Sequence, residues 1–269
     1  MIKKTTMAWL TFFPDSSKQK DLEDLGFKFS PGGAHISRTM MLEELWVLFG
    51  KIPQSAPAEL YAEAIFEQNV LSKTTESTRQ KTMRHLRELY GLDEKIPLFR
   101  LLRKMHALDS ASLPHLAIQI AVARDTLLRA TCGFIFDNSE GERVESAGLE
   151  KAIVEAFPGQ YSDANKIARN TSSSWTQSGH LLGRNKKIRT RVNPSPAATA
   201  LALFLANCCG FHGAAVFTSP WCVLLDLSAD KARSIAQEAH RLGYLNLRCI
   251  GDVVDLSFPM LDEIQNLSV

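Results

Sequence analysis

The chain has 269 residues, 45% of them hydrophobic and 22% charged, with a formal net charge of +2; these are the values of a globular protein able to bury a core in one large or two small domains. So mild a balance excludes nucleic-acid binding through overall basicity, and any electrostatic footprint must come from local clusters. The five cysteines show no CxxC spacing, which argues against a disulfide framework and for a reduced, cytoplasmic setting.

Nothing approaches ~20 uninterrupted apolar residues, so no membrane span is expected. The opening MIKKTTMAWLTFFPDSS has a basic start but an interrupted apolar patch and no small-residue cleavage site, unlike a signal peptide. Residues 1–38 read as irregular, with a turn cluster at Ser30-Pro31-Gly32-Gly33. From Arg38 the pattern is helical: Met41, Leu45, Leu48 and Phe49 recur at helical spacing, and Gly50 with Pro53 stops the run. Further helices are predicted over about 58–68, 75–90 (stopped by Gly91) and 98–108. A long fifth helix starts after Pro114 and reaches about Phe134. The polar run Asp137 to Glu142 marks a domain boundary, giving domains 1–137 and 143–269.

In the second half, helices are expected at about 146–156, 162–169, 172–182, 196–208 and 229–242. Ser228 is the N-cap of the last and Gly243 its stop. Its apolar stripe is Ala232, Ile235, Ala239 and Leu242. Two strands follow, Tyr244–Ile250 and Val253–Phe258, with a tight turn at Gly251-Asp252 and Val254, Leu256 and Phe258 on one face. A helix followed by a terminal hairpin suggests a winged-helix end. The expected fold is therefore mainly α: an N-terminal helical bundle, then a winged-helix-like α+β domain with a small terminal β-hairpin.

Two constellations carry chemistry. The first is a helix-turn-helix-like unit, residues 58–68, a short turn, and 75–90. Met83, Leu86 and Tyr90 face one way on the second helix, while Lys81, Arg84 and Arg87 form a ridge on another face. Three such cations can contact a phosphate backbone, although any solvated helix face can carry the same pattern. The second is TSSSWTQSGHLLGRNKKIRTR, Thr171 to Arg191. Ser173, Ser174, Thr176 and Gln177 are short polar groups able to reach base edges in a groove. Trp175 among them reads as a core anchor rather than a stacking platform. Arg184, Lys186, Lys187, Arg189 and Arg191 follow within eight positions. Of these, Lys187, Arg189 and Arg191 would share one strand face. A charged edge strand that discourages aggregation is the plainer reading of that face.

Catalytic signals are poor. The seven histidines show no HxxxH or HExxH spacing, and there is no Walker loop and no GxGxxG. Cys208-Cys209 lie on an apolar helix, and His212 sits alone in a loop. No catalytic residue, metal site or cofactor is expected, and the chain reads as a binding protein rather than an enzyme.

Three segments resemble a known family: Phe29-Ser30-Pro31-Gly32-Gly33 leading into MMLEELWVLF, then NVLSKTTESTRQKTMRHLRELYGL, then LAIQIAVARDTLLRATCGFIF. Together they resemble the BrxA family of BREX phage-defence systems over roughly residues 27–136, with about 160–260 reading as an extension. The resemblance implies a NusB-like helical N-terminal part and a non-enzymatic antiviral-defence protein that binds double-stranded DNA. It would act with other BREX proteins, including a DNA methyltransferase. The alternatives are a protein-interaction scaffold of a defence complex, with a helix such as 197–208 mating with a partner, or a winged-helix transcription regulator.

Overall fold

The structure, a computed structural model, describes residues 11–250 and 253–259. It is mainly helical, with a small three-stranded antiparallel sheet and a terminal strand pair. The first ten residues of the N-terminal patch and the turn at Gly251-Asp252 lie outside the described residues.

One helix falls within the stretch expected to be irregular. Asp15 caps a 3-10 turn by accepting the Ser17 amide, and α1 (Gln19–Leu25) follows. It is seven residues long and buries only Leu22, too little periodic signal to read from sequence. Gly26 ends it at φ +107, where a Cβ would stand 2.6 Å from Ile96 Cγ2. The next helix, α2 (Leu42–Lys51), starts four residues later than the sequence suggests. The preceding residues, 37–41, follow a 3-10 turn at Ala34–Ile36 and are held out of helical geometry by long-range bonds. Tyr90 Oη donates to Met40 O at 2.5 Å, and Met41 sits in the left-handed region at φ 53.

α3 (Ala58–Phe66) and α4 (Glu76–Tyr90) form where expected, with Thr75 Oγ1 accepting the Thr78 amide at the start of α4. The connection between them is not a short turn. It spans residues 67–75 and turns through Asn69 and Ser72 at positive φ, longer than the three- to four-residue turn of a helix-turn-helix. α5 (Pro97–Leu108) packs its apolar face on α6 (Leu113–Arg124).

The long fifth helix of the sequence reading is three helices. α6 stops at Asp125, whose backbone is extended (φ −123, ψ 107) and whose carboxylate caps α7 (Thr126–Ala130). A second break at Thr131 precedes α8 (Cys132–Asp137). Apolar periodicity continues through both breaks, so the pattern hides them.

Beyond the 137–142 turn come β1 (Arg143–Val144), α9 (Ser146–Ala156), α10 (Ala164–Gln177), β2 (Leu181–Leu182) and β3 (Lys187–Arg189). β3 lies between the other two, antiparallel to both. α10 replaces the two helices expected at 162–169 and 172–182. Its hydroxyls donate back along the helix, Ser173 to Arg169 O and Thr176 to Ser172 O, both at 2.9 Å. Hydroxyls satisfied in this way stop competing with the helix. The helix closes before Gly179 (φ +84), and Leu181–Leu182 are extended.

α11 (Pro196–Cys208) is buried from Ala197 to Ala206 and packs on α5, α6, α13 (Ala229–Arg241) and α12 (Pro220–Val223). It is a central rod, which removes it as the partner-facing helix of a scaffold. On α13 the inward stripe is Ala232, Ala236 and Ala239; Leu242, expected on it, is 53% exposed. β4 (Asn246–Ile250) and β5 (Val253–Ser257) pair with Leu247 opposite Leu256. Val254 and Phe258 point inward with Leu256 half-buried between them, as alternation predicts. The buried apolar cluster runs without a break from Phe12 through the first-half helices to Trp175, α11 and Phe258. The polar run at 137–142 is thus a surface turn on a shared core.

Candidate nucleic-acid interface

α4 presents its two faces as the spacing requires. Met83, Leu86 and Tyr90 are buried at 4% exposure or less, and Lys81, Arg84 and Arg87 are exposed. None of the three cations has a carboxylate within 4 Å among the described residues. His85 lies beneath the ridge, its Nε2 3.4 Å from Arg84 Nη2 and its Nδ1 3.6 Å from Glu88 Oε2. Burial pushes the His85 pKa down, with Arg84 and Arg38 adding to the effect against the pull of Glu88. Arg38 therefore stands within electrostatic reach of the ridge, on the segment just before α2.

That segment joins α4 to α10. Asn170 Nδ2 donates to His35 O at 2.8 Å, and the Met40 amide donates to Ser174 Oγ at 2.8 Å. Gln177 closes the seam: its Oε1 accepts the Leu42 amide at 3.4 Å and its Nε2 donates to Thr39 Oγ1 at 3.2 Å. Residues 35–42 lie along α10 on one side, while the 34–36 turn touches α4.

These bonds change the roles expected for the polar residues. Ser174 is fully buried and Gln177 is engaged with the 39–42 backbone, so neither is presented to a groove. Thr176 Oγ1 accepts Lys187 Nζ at 2.7 Å. Ser173 is half-buried and remains on the outer side. Arg169 and Lys166, one and two turns before it on the same side, are exposed. They were not among the candidate contacts, though their i, i+3 spacing ahead of Ser173 carried the signal. Trp175 is the core anchor that the sequence suggested, fully buried with Nε1 donating to Thr131 Oγ1 at 2.9 Å.

Past α10 the chain turns between β2 and β3. Gly183 adopts φ +102, and a Cβ there would meet Lys186 O at 2.2 Å. Arg184 and Lys186 are exposed on this turn. Lys187 and Arg189 share a face, as alternation predicts, but that face is turned into the protein, against Thr176, Ile135 and Asp226. Lys187 reaches Thr176 and Gly183 O. Arg189 is 2% exposed, forks onto the Asp226 carboxylate, donates Nε to Ile135 O at 3.2 Å and lies 5.1 Å over the Phe136 ring. Arg189 is therefore an internal ion pair and not a phosphate contact. Arg191 is exposed but lies 3.4 Å from Asp226 and 3.9 Å from Glu140. No local spacing could have revealed Asp226, which is 37 residues from Arg189.

A buried acid–imidazole–hydroxyl chain lies beneath α10. Asp125 Oδ2 is 2.7 Å from His35 Nδ1, and His35 Nε2 is 2.8 Å from Ser174 Oγ. The three side chains are 1% exposed or less. Ser174 Oγ also donates to Asn170 O at 3.0 Å, so its proton is directed into its own helix rather than toward the imidazole. Gly33 seals the acid side, its backbone so close that a Cβ would fall 2.2 Å from the Asp125 carboxyl carbon. The components match those of a nucleophilic triad, but this geometry serves to fasten α7, the 33–40 segment and α10 together.

Among the cations of α4, α10 and the β2–β3 turn, the exposed ones fall in two groups, Lys81, Arg84 and Arg87 on α4, and Lys166, Arg169, Arg184 and Lys186 around α10, linked by the 35–42 segment. No helix among the described residues is by itself long and apolar enough to cross a membrane. Comparison with protein-family models and with curated proteins returns no match to the chain.

Proposed function

We propose that the chain is a non-enzymatic, double-stranded-DNA-binding component of a BREX-like phage-defence system, acting with other BREX proteins that include a DNA methyltransferase. The observation that carries the DNA reading is the ridge of Lys81, Arg84 and Arg87, exposed and without a carboxylate partner among the described residues. The order β1–α9–α10–β2–β3, with sheet order β1-β3-β2, supports a winged-helix reading of this part. In that reading α10 is the recognition helix and the Gly183–Lys186 turn is the wing. This moves the wing from the terminal hairpin, where the sequence pattern suggested it. The helices before residue 137 are read as the NusB-like part. Lys166, Arg169 and Ser173 then face the duplex with Arg184 and Lys186, and binding is mainly to phosphates, which fix position without specifying sequence.

The test is fluorescence anisotropy of a labelled random duplex across a salt series. Neutralising Lys81, Arg84 and Arg87 to Gln lowers the log–log salt slope by roughly 2.7, and neutralising Arg184 and Lys186 lowers it by about 1.8, at about 0.9 per phosphate contact. No measurable affinity at low salt, or an unchanged slope in both variants, overturns the proposal. A repeat with the chain's own promoter DNA distinguishes a transcription regulator, which would prefer it strongly to the random duplex.

A further inference from the structure

A cavity of about 610 Å3 opens between the end of β3 and the start of α13, within the range of small-molecule pockets. Its charged lining is Arg189, Arg191 and Lys231 against the single carboxylate Asp226. Three other cavities are balanced differently. One of about 470 Å3 sets Lys28 and Arg124 against Glu23 and Glu88. Another, about 460 Å3, has Lys151 against Asp137 and Glu155, and a third, about 670 Å3, has Lys231 against Asp109 and Glu238. Only the first of the four carries an excess of positive charge.

Its floor is built rather than incidental. The Asp226 and Arg189 side chains, 1% and 2% exposed, neutralise each other, and Asp226 also accepts the Val192 amide at 3.0 Å. Asp226 holds this position at φ 56, in the left-handed region that Asn and Asp enter more readily than other side chains. Arg191 and Lys231, both exposed, line the cavity; Arg191 already meets Asp226 at 3.4 Å and Glu140 at 3.9 Å, and its remaining guanidinium donors, with the Lys231 ammonium, can meet an incoming anion. The rest of the wall is apolar, from Phe136, Val192, Val223 and Leu227. Asn138, which lines the cavity, gives its Nδ2 to Phe134 O at 2.6 Å, so its amide has an oxygen to offer an amino group as acceptor.

A cationic mouth, an apolar wall and one amide acceptor match a ligand with a phosphate at one end and a flat, amino-bearing ring at the other. We propose that this cavity binds a nucleoside 5′-phosphate, its phosphate between Arg191 and Lys231 and its base against Phe136 and Leu227. The proposal does not rest on the DNA reading, because neither Lys231 nor Asn138 belongs to the surface assigned to the duplex. The same chemistry could be supplied by a free nucleotide or by the 5′-phosphorylated end of a strand.

Isothermal titration of the full chain with adenosine and guanosine 5′-monophosphates, adenosine alone and inorganic phosphate tests this. The monophosphates are expected to bind more tightly than either fragment. Lys231→Gln and Arg191→Gln should each weaken them about tenfold or more, as loss of a charge-assisted phosphate contact requires. Lys231→Gln should leave affinity for a blunt, unphosphorylated duplex unchanged. A short single strand with and without its 5′-phosphate separates the two sources: phosphate-dependent competition assigns the site to strand ends, and its absence assigns it to free nucleotide. Lack of heat with any monophosphate at millimolar concentration overturns the proposal. So does equal affinity in Lys231→Gln with an unchanged circular dichroism spectrum, or binding of inorganic phosphate as tight as that of the monophosphates.

Discussion

Replacing Asp125 by Ala removes four hydrogen bonds from one buried carboxylate. Oδ1 accepts the Leu127 and Leu128 amides at 3.0 Å each, which caps α7, and Oδ2 meets His35 Nδ1 at 2.7 Å and the His35 amide at 3.2 Å. Loss of an N-cap costs about 1 kcal/mol. Leaving the fully buried His35 ring and amide without an acceptor costs about 1–3 kcal/mol per stranded group. The expected destabilisation is therefore about 4 kcal/mol, a large part of the roughly 5–15 kcal/mol that holds a typical domain together. Urea denaturation followed by the fluorescence of the buried Trp175 and Trp221 measures it. Asp125→Asn keeps an oxygen for the helix amides and should lose about half as much. Burial raises the Asp125 pKa, but His35 and the amide donors outweigh it and hold the carboxyl below its ordinary 3.8. A depressed folded-state value stabilises above pH 3.8, and this contribution is lost as pH falls through the folded value. The gap between wild type and Asp125→Ala should accordingly narrow below pH 3.8. A loss under about 1 kcal/mol at pH 7, or a gap that widens in acid, would refute the assigned role.

His180 gives a second, separate pH window. Burial pushes its pKa down to about 4 from 6.5, so the unfolded chain binds the extra proton between these values and stability rises with pH across that interval. The effect is on the order of 3 kcal/mol, and urea titrations of His180→Gln from pH 4 to 7 should show a flatter profile than wild type. Gly183→Ala forces a side chain into φ +102 against Lys186 O. It should cost about 1–3 kcal/mol and weaken duplex binding through Arg184 and Lys186, seen as a lower melting temperature together with a reduced salt slope. Trp175→Phe removes the donor to Thr131 Oγ1; a loss of about 1–2 kcal/mol is expected with no change in duplex affinity, whereas an affinity change would return Trp175 to the binding surface.

Much of the helix content could be read from spacing, because the apolar repeat runs the length of α3, α4, α5, α9, α11 and α13, and Gly91, Ser228 and Gly243 mark the ends of α4 and α13. The breaks at Asp125 and Thr131 could not, since a capping carboxylate inside an apolar run looks like one polar residue on a helix face. The α4 ridge was legible because a helix converts i+3 spacing directly into a shared exposed face. The 171–191 segment was not, because Asp226 beneath β3 and the path of residues 35–42 along α10 decide which polar groups face outward. Ser174, Gln177 and Arg189 were drawn inward by partners more than 35 residues away, and no local pattern reports such a distance.

The seam between residues 35–42 and α10 also bears on the order in which the chain acquires its structure. Its bonds join residues 134 to 139 positions apart, and contacts of such long sequence separation form late. During synthesis the 35–42 segment leaves the ribosome with its Ser174, Asn170 and Gln177 partners still unmade, while the helices around it already have theirs. At about 5–20 residues per second, that interval lasts on the order of ten seconds. The nascent first half thus holds its Arg38 segment beside the α4 ridge only through the Tyr90 and Asp125 bonds, and the seam on its other side is completed only when α10 emerges.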